Sequence, residues 1–263
     1  MQPEPSDQYV QSFARGLGVI RAFDADHPRM TLSEVAERTG LTRAAARRFL
    51  HTLVGLGYVS GDGRLFQLTP RVLELGFSYL SGLSLPELAQ PHLEALSHEL
   101  GESTSASVLD GADIVYVARV PTRRIMNVGI TIGTRFPAHA TSMGRVLLAA
   151  LPDHQLEPLL HSLHAEHRTD RTVTDPARLR AILEEVREQG WALVDQELEI
   201  GLRSIAAPIH ARDGSVTAAV NVSGAAATSS LDRLRDEYLP ALLRTAVQID
   251  EALRHSGAMA GAR

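Results

Sequence analysis

TLSEVAERTGLTRAAARRFLHTLVGL, residues 31–56, is the stretch on which the fold of this chain turns. Leu32, Val35, Ala36 and Thr39 recur at helical spacing, so its first half predicts a short helix with one buried face. Thr31 and Glu34 have the spacing of a capping box, and Gly40 supplies the left-handed residue that ends such a helix. Thr42 then caps a second helix, with Ala45, Phe49, Leu53 and Leu56 as its apolar row. Arg43, Arg47 and His51 lie four apart on another face, with Ala44 and Arg48 beside them. Two helices across a tight turn, the second lined with arginine, form the helix-turn-helix pattern, whose second helix enters the major groove of DNA. Arginines on a solvated helical hairpin are also common, and the hairpin alone leaves that ordinary reading open.

The flanks narrow it. Residues 12–25 predict a preceding helix with Phe13, Leu17, Ile20 and Phe23 on one side, and residues 24–30 a loop. Residues 58–68 give two β-runs around Gly61-Asp62-Gly63, a hairpin signal. Three helices followed by a hairpin make a winged helix-turn-helix, with Arg64 at the wing tip facing the phosphate backbone or minor groove. Arg43, Arg47 and Arg48 can pair with guanine or with phosphate. Thr31 and Thr42 cap helices or bring backbone amides to phosphate. The candidate DNA-contacting set is therefore Thr31, Thr42, Arg43, Ala44, Arg47, Arg48, His51 and Arg64. Arg48 has a competing role, an internal ion pair with Glu34 or Glu37.

Composition agrees only after the chain is divided. The 263 residues carry a net charge of −5, which by itself argues against a nucleic-acid binder. Residues 12–72 instead hold nine arginines against five acidic residues, a balance of +4, leaving the remainder acidic. Cysteine is absent, which excludes disulfides, thiolate catalysis and cysteine metal sites. There is no apolar run of membrane-spanning length and no signal pattern, so a cytoplasmic protein without a membrane partner is expected. Every basic side chain is arginine, from which no mechanism follows.

Beyond the wing, residues 70–83 predict an apolar linker helix and residues 85–100 another, with Leu88, Leu93, Leu96 and Leu100 on its face and Pro91 inside it. At Glu102 the period changes. A β-hairpin is predicted over 103–120, a third strand over 125–132, a loop over 133–140 and helices over 141–150, 152–164 and 175–190. A strand at 191–194, a hairpin over 203–223 and a helix over 230–255 complete the pattern. The fold class is two domains: a winged helix-turn-helix at 12–70 and, after a linker helix at 71–84, an α+β domain at 85–256 with an antiparallel sheet of five or six strands. Residues 1–11 and 257–263 read as disordered tails.

The chain resembles the IclR family of bacterial transcriptional regulators. The resemblance rests on the helix-turn-helix itself, on GTRFPAHATSMGRVLLAALP at 133–152 and on EIGLRSIAAPIHARDGSVTAAVNVSG at 199–224, and it covers nearly the whole chain. FARGLGVIRAF and IVYVARVPTRRIMNVGITIGTRFPAHATSMGRVLL look most like the subgroup that controls β-ketoadipate-pathway genes, which serve catabolism of aromatic acids such as protocatechuate and 4-hydroxybenzoate. The resemblance implies a GAF-like effector-binding domain, a homodimer or dimer of dimers, and a palindromic or repeated DNA operator. It implies a pocket formed by Ser142, Met143, Leu202, Ser204, Asn221 and Ser223. The chemistry of these positions suits a small carboxylic acid, either an aromatic acid or a β-ketoadipate-like acid. The helix start at 141–144 offers amide donors, and Ser204, Asn221 and Ser223 offer neutral hydrogen bonds. Asn221 and Ser223, two apart, share a strand face. In a family member with a small aliphatic effector a serine can stand where Asn221 stands here, so another catabolic operon with a different effector is the alternative. The ordinary reading is that these small polar residues satisfy backbone groups. Arg145 and Arg119 are either charge partners of the ligand or members of helix-to-sheet ion pairs.

Neither catalysis nor a cofactor is expected. Asp195, His139 and Ser142 could be imagined as a triad, but no nucleophile elbow, phosphate loop or zincin motif ties them together. His161, His164 and His167 could share a helical face and bind zinc, although solvated histidines are the default and no metal is expected. An architectural DNA-binding protein without a ligand would be basic throughout.

Overall fold

A computed structural model describes residues 9–75, 85–122, 130–162 and 167–260. In it Thr31 closes the capping box in both directions: its backbone N–H and hydroxyl donate to Glu34 Oε2 at 2.6 and 2.8 Å, and its Oγ1 accepts from the Glu34 amide. Helix α2, Leu32–Thr39, therefore starts at a fixed point, and Gly40 ends it at φ 64°. Thr42 Oγ1 accepts from the Ala45 amide and starts α3, Arg43–Gly55. The preceding helix α1 runs over Gln11–Arg21.

The buried stripe of α3 is Ala46, Leu50 and Leu53, which keeps Leu53 of the predicted row and has Ala46 and Leu50 in place of Ala45 and Phe49. Ala45 and Phe49 are only half-buried, and Leu56 is exposed at the helix end. The physical reason is that α3 packs against both α1 and α2, so its core stripe is centred between them, where Ala46 permits close approach. On α1 the buried side chain is Val19, while Phe13 and Leu17 face solvent in the single chain. A further departure lies in residues 24–30. Met30–Thr31 forms a short strand, β1, which pairs antiparallel with β3, Leu65–Leu68, on the far side from β2, Val59–Gly61. The wing is thus three-stranded, and the pairing of Met30 with Phe66 ties it to the start of α2. A 3-10 turn, Pro70–Val72, leads into helical residues 73–75, where Leu73 and Leu75 are exposed. The rest of the linker-helix reading, 76–83, lies outside the described residues, as do 1–8 and 261–263 of the tail readings, whereas Gly257–Ala260, read as tail, continue the last helix, Leu239–Ala260.

The chain divides into two compact units, Met1–Gly82 and Leu83–Arg263. The second is built on a six-stranded antiparallel sheet in the order β6-β5-β4-β9-β8-β7. Its strands are β4 Ser103–Asp110, β5 Asp113–Val120, β6 Arg135–Pro137, β7 Ala192–Asp195, β8 Leu202–His210 and β9 Val216–Ala225. Strand β6 falls within the predicted 133–140 loop. Of the predicted 125–132 strand, residues 125–129 lie outside the described residues, and 130–132 are not extended into the sheet.

Both faces of the sheet are covered. Helices α4, Leu85–Leu100, and α8, Leu239–Ala260, bury Leu93, Leu96, Leu242 and Ile249 against Ala106, Ile205, Ala207, Val220 and Val222. Helices α5 Ser142–Ala149, α6 Asp153–Ser162 and α7 Pro176–Gln189 cover the other face, with Met143, Leu147, Leu179 and Leu183 over Ile114, Tyr116, Ala206 and Ala219. Period-2 alternation along β9 divides its residues between these two cores.

Two contacts set the position of α5. A Cβ on Gly144 would overlap the Ala138 carbonyl, so the helix lies directly on the 3-10 turn Ala138–Ala140. The buried Arg145 guanidinium then donates to Glu197 Oε2 at 2.6 Å and to the His139 carbonyl at 2.9 Å. Glu197 also accepts from the Val173 amide at 2.9 Å and lies in the loop after β7, next to Gln196 in a left-handed conformation at φ 60°. That conformation costs a non-glycine residue about 1–2 kcal/mol. Gln196 is held there by accepting from the Gly201 amide, while Glu197 is anchored by Arg145. Removing one member of such a pair strands a buried charge, so Glu197→Ala is expected to cost about 3–5 kcal/mol in urea unfolding of the whole chain.

Candidate functional site

The first candidate surface is α3 with the wing. Arg43, Ala44, Arg47, Arg48, His51 and Arg64 are all exposed. Ion pairs elsewhere in this unit leave them unpaired. Glu34 is engaged by Thr31, Asp24 takes Arg38 at 2.6 Å, and Asp62 lies 3.7 Å from Arg29. Among the described residues no ion pair involves Arg43, Arg47, Arg48 or Arg64, which removes the internal partner considered for Arg48. Thr31 and Thr42 serve as helix caps. At the wing tip Asp62 Oδ1 accepts from the Leu65 and Arg64 amides at 2.8 and 2.9 Å. Those bonds, with a smaller contribution from the Arg29 charge, hold its carboxyl below the usual range. The turn therefore presents Arg64 outward on a fixed backbone.

The second candidate site lies where α5 meets the sheet. Ser142, Met143, Leu202, Ser204, Asn221 and Ser223 are all buried, and the three strand polar residues share one sheet face. Ser204 and Ser223 are directly opposed on β8 and β9, and Ser142 Oγ donates to Ser204 Oγ at 2.9 Å, joining the helix start to the sheet. The Met143 thioether accepts from Ser107 Oγ at 3.3 Å. Ser223 Oγ reaches only the Ser103 carbonyl, at 3.5 Å. The amide donors at the start of α5 are partly used, since Thr141 Oγ1 accepts from the Gly144 amide at 3.1 Å.

Register extends this face to residues the sequence reading passed over. Ser103 pairs with Ser223, Ser105 with Asn221 and Ser107 with Ala219, so Ser103, Ser105 and Ser107 of β4 continue the polar row. The three are fully buried. The signal was the alternation S-T-S-A-S, which puts the three serines on one side of a strand. Beyond β4, Arg119 of β5 pairs with Ser105, and its Nη1 donates to Ser105 Oγ at 3.1 Å. Arg119 Nε and Asn221 Oδ1 are buried without a protein partner. Burial pulls the Arg119 guanidinium below its ordinary value, and nearby Tyr116 is pushed up to about 12, chiefly by its own burial.

Several members of the rival arrangements have other partners. The Ser142 hydroxyl is spent on Ser204, and Asp195 is held at 2.6 Å by both Arg171 and Arg203. Burial raises the Asp195 carboxyl, but bonds from Arg203 and Gln196 and the two arginine charges outweigh it and keep it below the usual range. His161 Nδ1 lies 2.8 Å from the Glu157 carbonyl, His167 Nε2 lies 3.2 Å from Thr174 Oγ1, and His164 lies outside the described residues. Among the described residues no group of three or more potential ligands is close enough to hold a metal ion.

An unsatisfied buried amide destabilises a fold unless something else occupies its surroundings. Asn221→Val is therefore expected to raise the stability of the unliganded chain by about 1 kcal/mol, read as a higher thermal midpoint.

Comparison with known proteins now gives these two sites a setting. Residues 12–63 match the IclR helix-turn-helix domain, and residues 77–251 match the bacterial transcriptional regulator IclR C-terminal domain. The Pca regulon regulatory protein of Pseudomonas putida is 46% identical over 236 residues, covering 89% of this chain and 81% of its own length. The crystal structure of a transcriptional regulator from Rhodococcus sp. RHA1 is 61% identical with a TM-score of 0.84, covering 93% of this chain and 98% of that one. An IclR homolog from Microbacterium hydrocarbonoxydans, crystallised with 4-hydroxybenzoate, is 26% identical with a TM-score of 0.82, covering 92% and 99%. With a winged helix-turn-helix whose arginine face is free and an enclosed polar site on an antiparallel sheet, this chain belongs to the IclR family of bacterial transcriptional regulators.

Proposed function

We propose that the protein is a non-enzymatic, ligand-responsive regulator of aromatic-acid catabolic genes, acting in the cytoplasm on a double-stranded operator. Its effector is a small carboxylic acid. One observation carries the effector half of this reading: a row of buried small polar side chains beneath α5, ending in an Asn221 amide whose oxygen has no protein partner. Such a row is costly when empty and gains hydrogen bonds when a polar ligand enters. Ser142, Met143, Leu202, Ser204, Asn221 and Ser223 would line the site. The kinship with the Pca regulon regulatory protein and with the 4-hydroxybenzoate-bound homolog supports an aromatic acid.

The DNA half rests on the exposed, unpaired Arg43, Arg47 and Arg48 of α3, with His51 and Arg64 flanking them. Thr31 and Thr42 contribute as caps whose helix starts bring amides to phosphate. A homodimer or dimer of dimers reading two half-sites fits the apolar row Tyr9, Val10, Phe13 and Leu17, which is exposed in the single chain. Effector and operator are then linked: an acid that binds one arrangement of the assembly better shifts its population and changes operator affinity.

Two measurements test this. In a thermal-shift panel, benzoate, 4-hydroxybenzoate or 3,4-dihydroxybenzoate raises the unfolding midpoint. A shift from aliphatic or sugar acids alone would move the protein to another catabolic operon. In gel-shift titrations at fixed salt, Arg47→Ala weakens operator binding by about 1–3 kcal/mol. Unchanged affinity would remove Arg47 from the interface.

A further inference from the structure

We infer that Arg119 is the anchor for the effector's carboxylate, with Asn221 completing the seat on the other side of Ser105. The inference rests on the acid-effector reading above and names the group that carries its charge. Of the two other groups considered for that task, Arg145 is already occupied and the helix start is partly so. Arg145 spends its charge on Glu197 at 2.6 Å and its Nε on the His139 carbonyl. The first turn of α5 spends the Gly144 amide on Thr141 Oγ1, and Ser142 Oγ bonds Ser204.

Arg119 is different. Strand register places Arg119, Ser105 and Asn221 in one row across β5, β4 and β9, on the face that α5 covers. Its Nη1 is turned to Ser105 Oγ at 3.1 Å, which orients the planar guanidinium. That leaves the Nε–Nη2 edge, the fork that grips a carboxylate through two parallel bonds. On that edge Nε is buried and has no protein partner. No carboxylate of the described residues lies within ion-pair distance of Arg119. Among the described residues no acidic neighbour offsets the burial that lowers its pKa, and Tyr116 opposes it. A half-buried cation without a counter-charge is an unfavourable feature of a folded protein unless an anion completes it.

Asn221 Oδ1 is likewise buried and unsatisfied, on the next strand along the row. Adjacent strands lie about 4.8 Å apart, so the two orphaned groups stand on strands about 10 Å apart at the backbone, with the small Ser105 between them. A half-turn of its amide lets Asn221 offer N–H to a carboxylate oxygen, or keep its oxygen for a ligand hydroxyl. The chemical class is therefore an organic acid, held bidentately by the guanidinium with one amide contact at its flank.

The test is isothermal titration of the full chain with 4-hydroxybenzoate, with its neutral isostere 4-hydroxybenzamide, and with adipate as an aliphatic acid. Arg119→Gln is expected to weaken 4-hydroxybenzoate by about 10- to 100-fold while leaving the amide's affinity at the wild-type level. Arg119→Lys, which keeps the charge but loses the fork, falls between. An unliganded melting point for Arg119→Gln equal to or above wild type separates a lost anchor from a lost fold. Acid binding by Arg119→Gln at wild-type strength overturns the anchor and leaves the aromatic-acid reading standing. Binding of adipate alone, with the same dependence on Arg119, keeps the anchor and overturns the aromatic reading. A wild-type chain that binds neither acid overturns both.

Discussion

Arg145 is buried in the first turns of α5, and the rest of the sensing unit is arranged around answering its charge. Glu197 does so from the loop after β7, with the Val173 amide as its second donor. The pair costs desolvation, and its return is position: α5 is tied to β7–β8 at one end while Gly144 lets it rest on the Ala138 carbonyl. With the helix fixed in this way, Ser142 and Met143 come within bonding distance of Ser204 and Ser107. The same pair engages Arg145, while Arg119, at the polar row, has no carboxylate partner among the described residues.

The reading head follows a similar logic with opposite consequences. Its acidic residues are engaged close to home, Glu34 by Thr31 and Asp24 by Arg38. These contacts start α2 and pin the loop before it. They also leave Arg43, Arg47 and Arg48 with no ion-pair partner among the described residues, on the face proposed to meet DNA. Surface ion pairs of this kind add little to stability. Their effect here is on which charges stay available.

Most of the fold was legible because local rules set it. The capping box at Thr31, the left-handed Gly40, the Asp175-Pro176 helix start and the Gly190 stop all stand where their residues predict. The misses have a common cause. Strand β1 is two residues long and β6 three, too short to show a period, and each exists only because a longer strand offers it an edge. On α3 the predicted row kept Leu53 but took Ala45 and Phe49 for Ala46 and Leu50, because Phe49 looks more apolar than Ala46 does. Packing against two helices at once favours the small residue at the centre. At the sensing site the family-derived six residues share one buried region, whereas Ser103 and Ser105 joined them only through register with β9.

The sequence by itself determined the order of elements, the caps, the basic first module and the family, because each is written in neighbours along the chain or in motifs of fixed spacing. It could not decide which arginine near the sensing site is spent and which is free, since Arg119 and Arg145 look alike in a string of letters. Only the tertiary structure decided that. Glu197 is 52 positions from Arg145 in sequence and 2.6 Å away in space, while Arg119 bonds a serine hydroxyl and has no carboxylate partner among the described residues. Charge pairing is a property of distance, and distance across a sheet is set by register rather than by sequence separation.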